Sequence, residues 1–98
     1  MLFQLDERLS QYMKEHRQKD ILITPQMCNT WGGPVLDISA RFVDPDEAAS
    51  LKEANFHSFP HSFGSVFIRR IPLSAEDTVT LSLSRFFKRI TVNGIYSV

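Results

Sequence analysis

Residues 35–43 read Val-Leu-Asp-Ile-Ser-Ala-Arg-Phe-Val, and this stretch decides the class of fold. Leu36, Ile38, Ala40 and Phe42 fall on one side of an extended chain, and Asp37, Ser39 and Arg41 on the other. Period-two alternation of this kind marks a strand with one buried and one wet face. Directly downstream, Asp44-Pro45-Asp46-Glu47 predicts a helix start. Asp44 serves as N-cap, Pro45 fits the first helical position and Glu47 closes a capping box. Ala48, Ala49 and Leu51 carry that helix for about two turns. Directly upstream, residues 26–34 read QMCNTWGGP, and Gly32-Gly33-Pro34 predicts a loop holding the one cysteine and the one tryptophan of the chain. Before it, Asp20-Ile-Leu-Ile-Thr24 reads as a buried strand stopped by Pro25.

The flanks add a helix and more strands. Phe3 and Leu5 suggest a short first strand; Asp6 then caps a helix predicted over 6–17, with Leu9, Tyr12, Met13 and His16 on its apolar side. Residues 56–63, FHSFPHSF, predict an irregular edge leading through Gly64-Ser65 into a strand at 66–68. Val79 to Leu83 alternates as a strand, and Asn93-Gly94 between Ile90-Thr-Val92 and Ile95-Tyr96 signals a two-residue hairpin. Leu36, Ile38, Phe42, Leu81 and Leu83 are expected in the core, with Leu9, Tyr12 and Met13 packing the helix onto them. The class is mostly β (α+β), in one domain over 1–98.

Composition narrows the function. With 98 residues and 43% hydrophobic content, the chain is of a size that buries about 65% of its unfolded surface, enough for one core. Its apolar runs are a few residues long, against the twenty or so of a membrane span, so a soluble protein without membrane contact is expected. Asp6 and Glu7 interrupt any leader-like pattern. Eleven acids balance eleven bases, which argues against a nucleic-acid surface. A single cysteine favours a reducing, cytoplasmic setting. Charge is nonetheless segregated. Five acids and two bases give residues 37–53 a net −3; five bases and two acids give residues 69–89 a net +3.

Chemistry is sparse. Cys28 is a small apolar packer by type, and Lys19 is the one base in the ten residues before it. His57 and His61 have helical ligand spacing, but Pro60 between them forbids the helix. His57 and His61, with Cys28 or His16 as a third ligand, are still the candidate ligands for a divalent metal, since zinc accepts N and S donors. The same Cys28 with His57 or His61 as base would make a thiol-dependent enzyme. Gly32-Gly33 lacks the Lys-Ser/Thr of a phosphate loop. Cys28, Asn29, Trp31, Gly32 and Gly33 together form a candidate binding patch, combining a thiol, an indole and permissive backbone. Phe56, Phe59, Phe63, Phe67, Phe86, Phe87 and Trp31 are more large rings than so small a core is expected to hide, which points to a homo-oligomer.

Two stretches carry a family resemblance: Cys28 through Gly33-Pro34 into Val35-Leu36, and Val79 to Leu83 through Phe86-Phe87-Lys88 to Ile90-Thr-Val92-Asn93-Gly94-Ile95. They resemble the HesB/IscA-like domain of iron–sulfur biogenesis, nearest its CC/Se-motif branch. The resemblance implies a compact HesB-like β-sandwich with an N-terminal helix, and Cys28 at the first cysteine position of the A-type carriers. Those carriers add a Cys-x-Cys pair near the C terminus, where residues 93–98 have no cysteine. The CC/Se branch pairs its first cysteine with a second, where Asn29 stands. A cluster needs about four ligands, usually thiolates. The expectation is therefore a non-enzymatic HesB-like binding or assembly protein. An iron–sulfur cluster or divalent metal held through Cys28 across an oligomer is the alternative.

Overall fold

The computed structural model describes residues 2–54, 56–69, 73–84 and 89–97. Among them are seven strands and two helices in the order β1 (Leu2–Leu5), α1 (Glu7–Glu15), β2 (Asp20–Thr30), β3 (Gly33–Val43), α2 (Pro45–Glu53), β4 (Phe56–Pro60), β5 (Ser65–Arg69), β6 (Leu73–Leu83) and β7 (Ile90–Ser97). The Phe86-Phe87-Lys88 turn of the family resemblance lies outside the described residues. The mostly-β α+β class holds.

One sheet has the order β1-β6-β7 and the other β3-β2-β5-β4. Their facing sides share a core. Ile21, Ile23, Val66 and Ile68 from the four-stranded sheet meet Phe3, Val79, Leu81, Ile90 and Ile95 from the three-stranded one. Helix α1 adds Leu9 and Met13, both fully buried, and Tyr12 stacks on Phe42 at 5.7 Å between centroids. A smaller second core lies on the outer side of the four-stranded sheet, where Ala48 and Leu51 of α2 cover Leu22, Val43 and Phe67.

Both helices start where side-chain caps place them. Leu9 donates its N–H to Asp6 Oδ1 and Glu47 donates its N–H to Asp44 Oδ1, each at 2.7 Å. Glu47 does not close the expected capping box. Its carboxylate turns to Arg41, 2.6 Å away, and so ties α2 to β3. At the other end of α1, Gln18 donates to the Met13 carbonyl at 2.8 Å, and Arg17 takes φ +56°. That is the left-handed position which helix ends usually give to glycine.

Four expectations are corrected. Pro25 does not stop β2, which runs on to Thr30 paired with β3. The partner on its other side, β5, pairs only as far as Ile23, so no neighbour there needs the N–H that proline lacks. Asn93-Gly94 is not a hairpin turn but lies inside β7. Between Ala75↔Ile95 and Thr80↔Asn93 the register shifts, β6 advancing five residues while β7 advances two. Gly94, at φ +110°, faces that bulge, and a Cβ there would stand 3.2 Å from the Thr78 carbonyl oxygen. Residues 56–60 form a regular strand, tolerating Pro60 because β4 is an edge. Leu36, Ile38 and Phe42 are half-buried rather than buried, since β3 is also an edge, and His16 is exposed just past α1.

Leu81 sits at the centre of the shared core with no exposed surface. Leu81→Ala is expected to cost about 2–5 kcal/mol by chemical denaturation. A loss within about 0.5 kcal/mol, the range of surface substitutions, would contradict the packing.

Candidate functional site

The residues of the candidate patch occupy the end of the β2–β3 hairpin, not a loop. Cys28 pairs with Val35, Asn29 with Pro34 and Thr30 with Gly33, leaving Trp31-Gly32 as a two-residue turn. Positive φ falls at Gly33, +103°, directly after the turn. This is where a hairpin with a glycine bulge takes its left-handed residue. Thr30 Oγ1 donates to the Gly33 carbonyl at 2.7 Å and fastens the turn. The indole of Trp31 is fully exposed, and Met27 and Val35 are 57% and 50% exposed. Strand alternation puts Met27 with Leu36 on the core-side face of the hairpin, and Cys28 with Val35 on the opposite face. Apolar surface thus shows on both faces and at the tip. Met27 and Val35 were not in the predicted patch: Met27 fell in residues read as a loop, which gave it no face, and Val35 falls on the wet side of the 35–43 alternation.

Cys28 is half-buried and makes no disulfide. The structure does not bring it to the histidines. His57 pairs with Ile68 on β4–β5, and Ile68 pairs with Ile23, five residues along β2 from Cys28. At strand rise that is about 17 Å along the sheet, before the two-strand offset is added. His61 lies beyond the opposite end of β2, against Lys19, about 30 Å from Cys28 by the same measure. His16 sits against Tyr12, with ring centroids 4.1 Å apart. No group of three metal-binding side chains occurs among the described residues.

His61 has a different occupation. Its Nε2 is 2.7 Å from the Lys19 carbonyl and must donate to it, while Nδ1 accepts the Phe63 N–H at 3.3 Å. Both ring nitrogens are used by backbone, which fixes the neutral tautomer. Burial pushes its pKa below the usual 6.5, against the opposing pull of the Lys19 carbonyl and of Asp20. Gly64 makes the arrangement possible, because a Cβ there would overlap the Lys19 carbonyl. Serving as a lock between the β4–β5 turn and the start of β2, His61 has no lone pair left for a metal or for Cys28.

The chain gives no match to protein-family models, to curated proteins or to solved structures.

The lock titrates. The folded protein holds His61 neutral and the unfolded chain binds more protons, so the contribution is fully present above about pH 6.5 and is lost as pH falls toward the depressed value. The melting temperature is expected to drop on acidification through this range. His61→Gln, which keeps a donor for Lys19 but does not titrate, should flatten that drop; an unchanged profile would contradict the lock. Gly64→Ala is expected to destabilise by about 1–3 kcal/mol or more through overpacking, read by denaturation.

Proposed function

We propose that this chain is a small non-enzymatic binding or assembly module on a HesB-like scaffold, docking through the distal end of its β2–β3 hairpin. The observation that carries the reading is the fully exposed indole of Trp31. An aromatic side chain held wet at a hairpin tip, with Met27 and Val35 beside it, adds nothing to the monomer core and is well suited to a protein contact. The first partner to consider is a second copy of the chain. The net −3 of residues 37–53 and the net +3 of residues 69–89 favour a two-fold arrangement in which each segment meets its complement twice. A balanced total charge supports a partner that is neither nucleic acid nor membrane, and the lone thiol supports a cytoplasmic setting. No helix among the described residues is long and apolar enough to cross a membrane.

One observation favours a second reading. Cys28 lies on the same distal hairpin, three residues from the tip, so copies meeting there would bring their thiols toward one another. Iron–sulfur or metal handling shared across an oligomer then needs further ligands, which one thiol per chain does not supply.

Sedimentation over a dilution series separates these readings, with the sole tryptophan as a local reporter. Self-association is expected at micromolar concentration, with a blue shift of Trp31 emission that dilution reverses, and the association itself is expected to vanish from sedimentation of Trp31→Ser. An 11.3 kDa species at every concentration, with unshifted emission, would overturn the self-association. Iron or zinc retained by protein purified without oxygen, and absent from Cys28→Ser, would move the reading to metal handling.

A further inference from the structure

A cleft of about 630 Å³ opens at the end of the sandwich opposite the hairpin tip, between the last turn of α1, the start of β2 and the entry to α2. Its lining joins the apolar side chains of Phe63 and Pro45 to three cations, Lys14, Arg17 and Lys19. None of the three has a carboxylate within ion-pair distance among the described residues. The two acids in the same wall are already engaged: Asp20 Oδ1 accepts the Ser65 amide and Asp44 Oδ1 caps α2. Lys14 Nζ stands 5.4 Å from the centre of the Phe63 ring, which joins the charged side of the cleft to its aromatic side.

The bland account is that cations near the end of α1 offset its dipole. It covers Lys14 and part of Arg17. It does not cover Lys19, four residues past the end of the helix, or the apolar floor. Nor does it explain an arginine at φ +56°, where glycine would relieve the backbone.

We infer that this cleft is a binding site for a small organic acid with a flat apolar body, its carboxylate among Lys14, Arg17 and Lys19 and its body against Phe63 and Pro45. The cavity is of a size suited to such a ligand. Charge-assisted hydrogen bonds fix one end of the molecule and apolar contact fixes the other. The site is remote from the hairpin and does not depend on the docking proposed there.

The probe is naphthoate, titrated into the full chain and followed by amide chemical shifts in NMR, with neutral naphthylmethanol as the control. Saturable one-to-one binding is expected, with shifts confined to residues around 13–20, 43–47 and 63, and with naphthylmethanol at least about tenfold weaker. Lys14→Gln and Lys19→Gln, both at exposed positions, are each expected to weaken naphthoate by about tenfold, or 1.4 kcal/mol. Arg17→Gly should weaken it while holding or raising the melting temperature, an effect that a merely structural arginine would not produce. Shifts scattered over the surface, non-saturating binding, equal affinity for the neutral analogue, or charge variants that bind as the native chain does would each overturn the assignment.

Discussion

The structure depends on the first four residues of β2, which are held from every side at once. Asp20 to Ile23 pair antiparallel with β3 and parallel with β5, so this segment has no free edge. Ile21 and Ile23 enter the core between the sheets, whereas Leu22 enters the core under α2. Three consecutive apolar residues thus bind two cores together. The helices are arranged around this segment. Leu9 and Met13 of α1 meet the face of Ile21 and Ile23, and Ala48 of α2 meets the face of Leu22. His61 ties the carbonyl just before it to the β4–β5 turn.

Beyond Ile23 the same strand changes character. It loses β5, passes through Pro25 and continues as a two-stranded arm with β3. A two-stranded hairpin is marginal in water by itself, so the arm borrows order from its root and from the fastened turn at Thr30 and Gly33. Large apolar side chains on such an arm are a liability in a monomer and an asset at a contact. The arm is therefore the part of the molecule suited to a partner, while the root is fully committed to the fold. The basic cleft lies at the root end, and the two surfaces are separated by the length of β2.

Much of the fold was legible because local signals and packing agree there. Alternation at 35–43, Asp6 and Asp44 as caps, and the apolar run at 21–23 each describe what the residue does in the finished structure. Proline and glycine misled. Pro25 breaks a strand only where a neighbour needs its amide, and the neighbour ends two residues earlier. Asn93-Gly94 offers positive φ, which a turn can use but which this chain uses to face a bulge. Neither distinction is visible without the pairing. The candidate site was legible in its residues but not in its geometry: Cys28 to Gly33 does form one exposed patch, as an arm and not as a loop. The association of Cys28 with His57 and His61 failed because separation in sequence says nothing of which end of a strand each residue reaches. The cleft escaped notice for the same reason, since Lys14, Lys19, Pro45 and Phe63 converge only through the tertiary fold.

The central claim is that one strand has a rigid root and a free arm, and native-state amide hydrogen exchange of the dilute chain tests it most directly. Amides of Ile21, Leu22 and Ile23 should exchange only through global unfolding, at the slowest rates in the molecule. Those of Met27 to Thr30 should exchange through local opening, orders of magnitude faster. Uniform protection along all of β2, or faster exchange at the root than in the arm, would contradict the account.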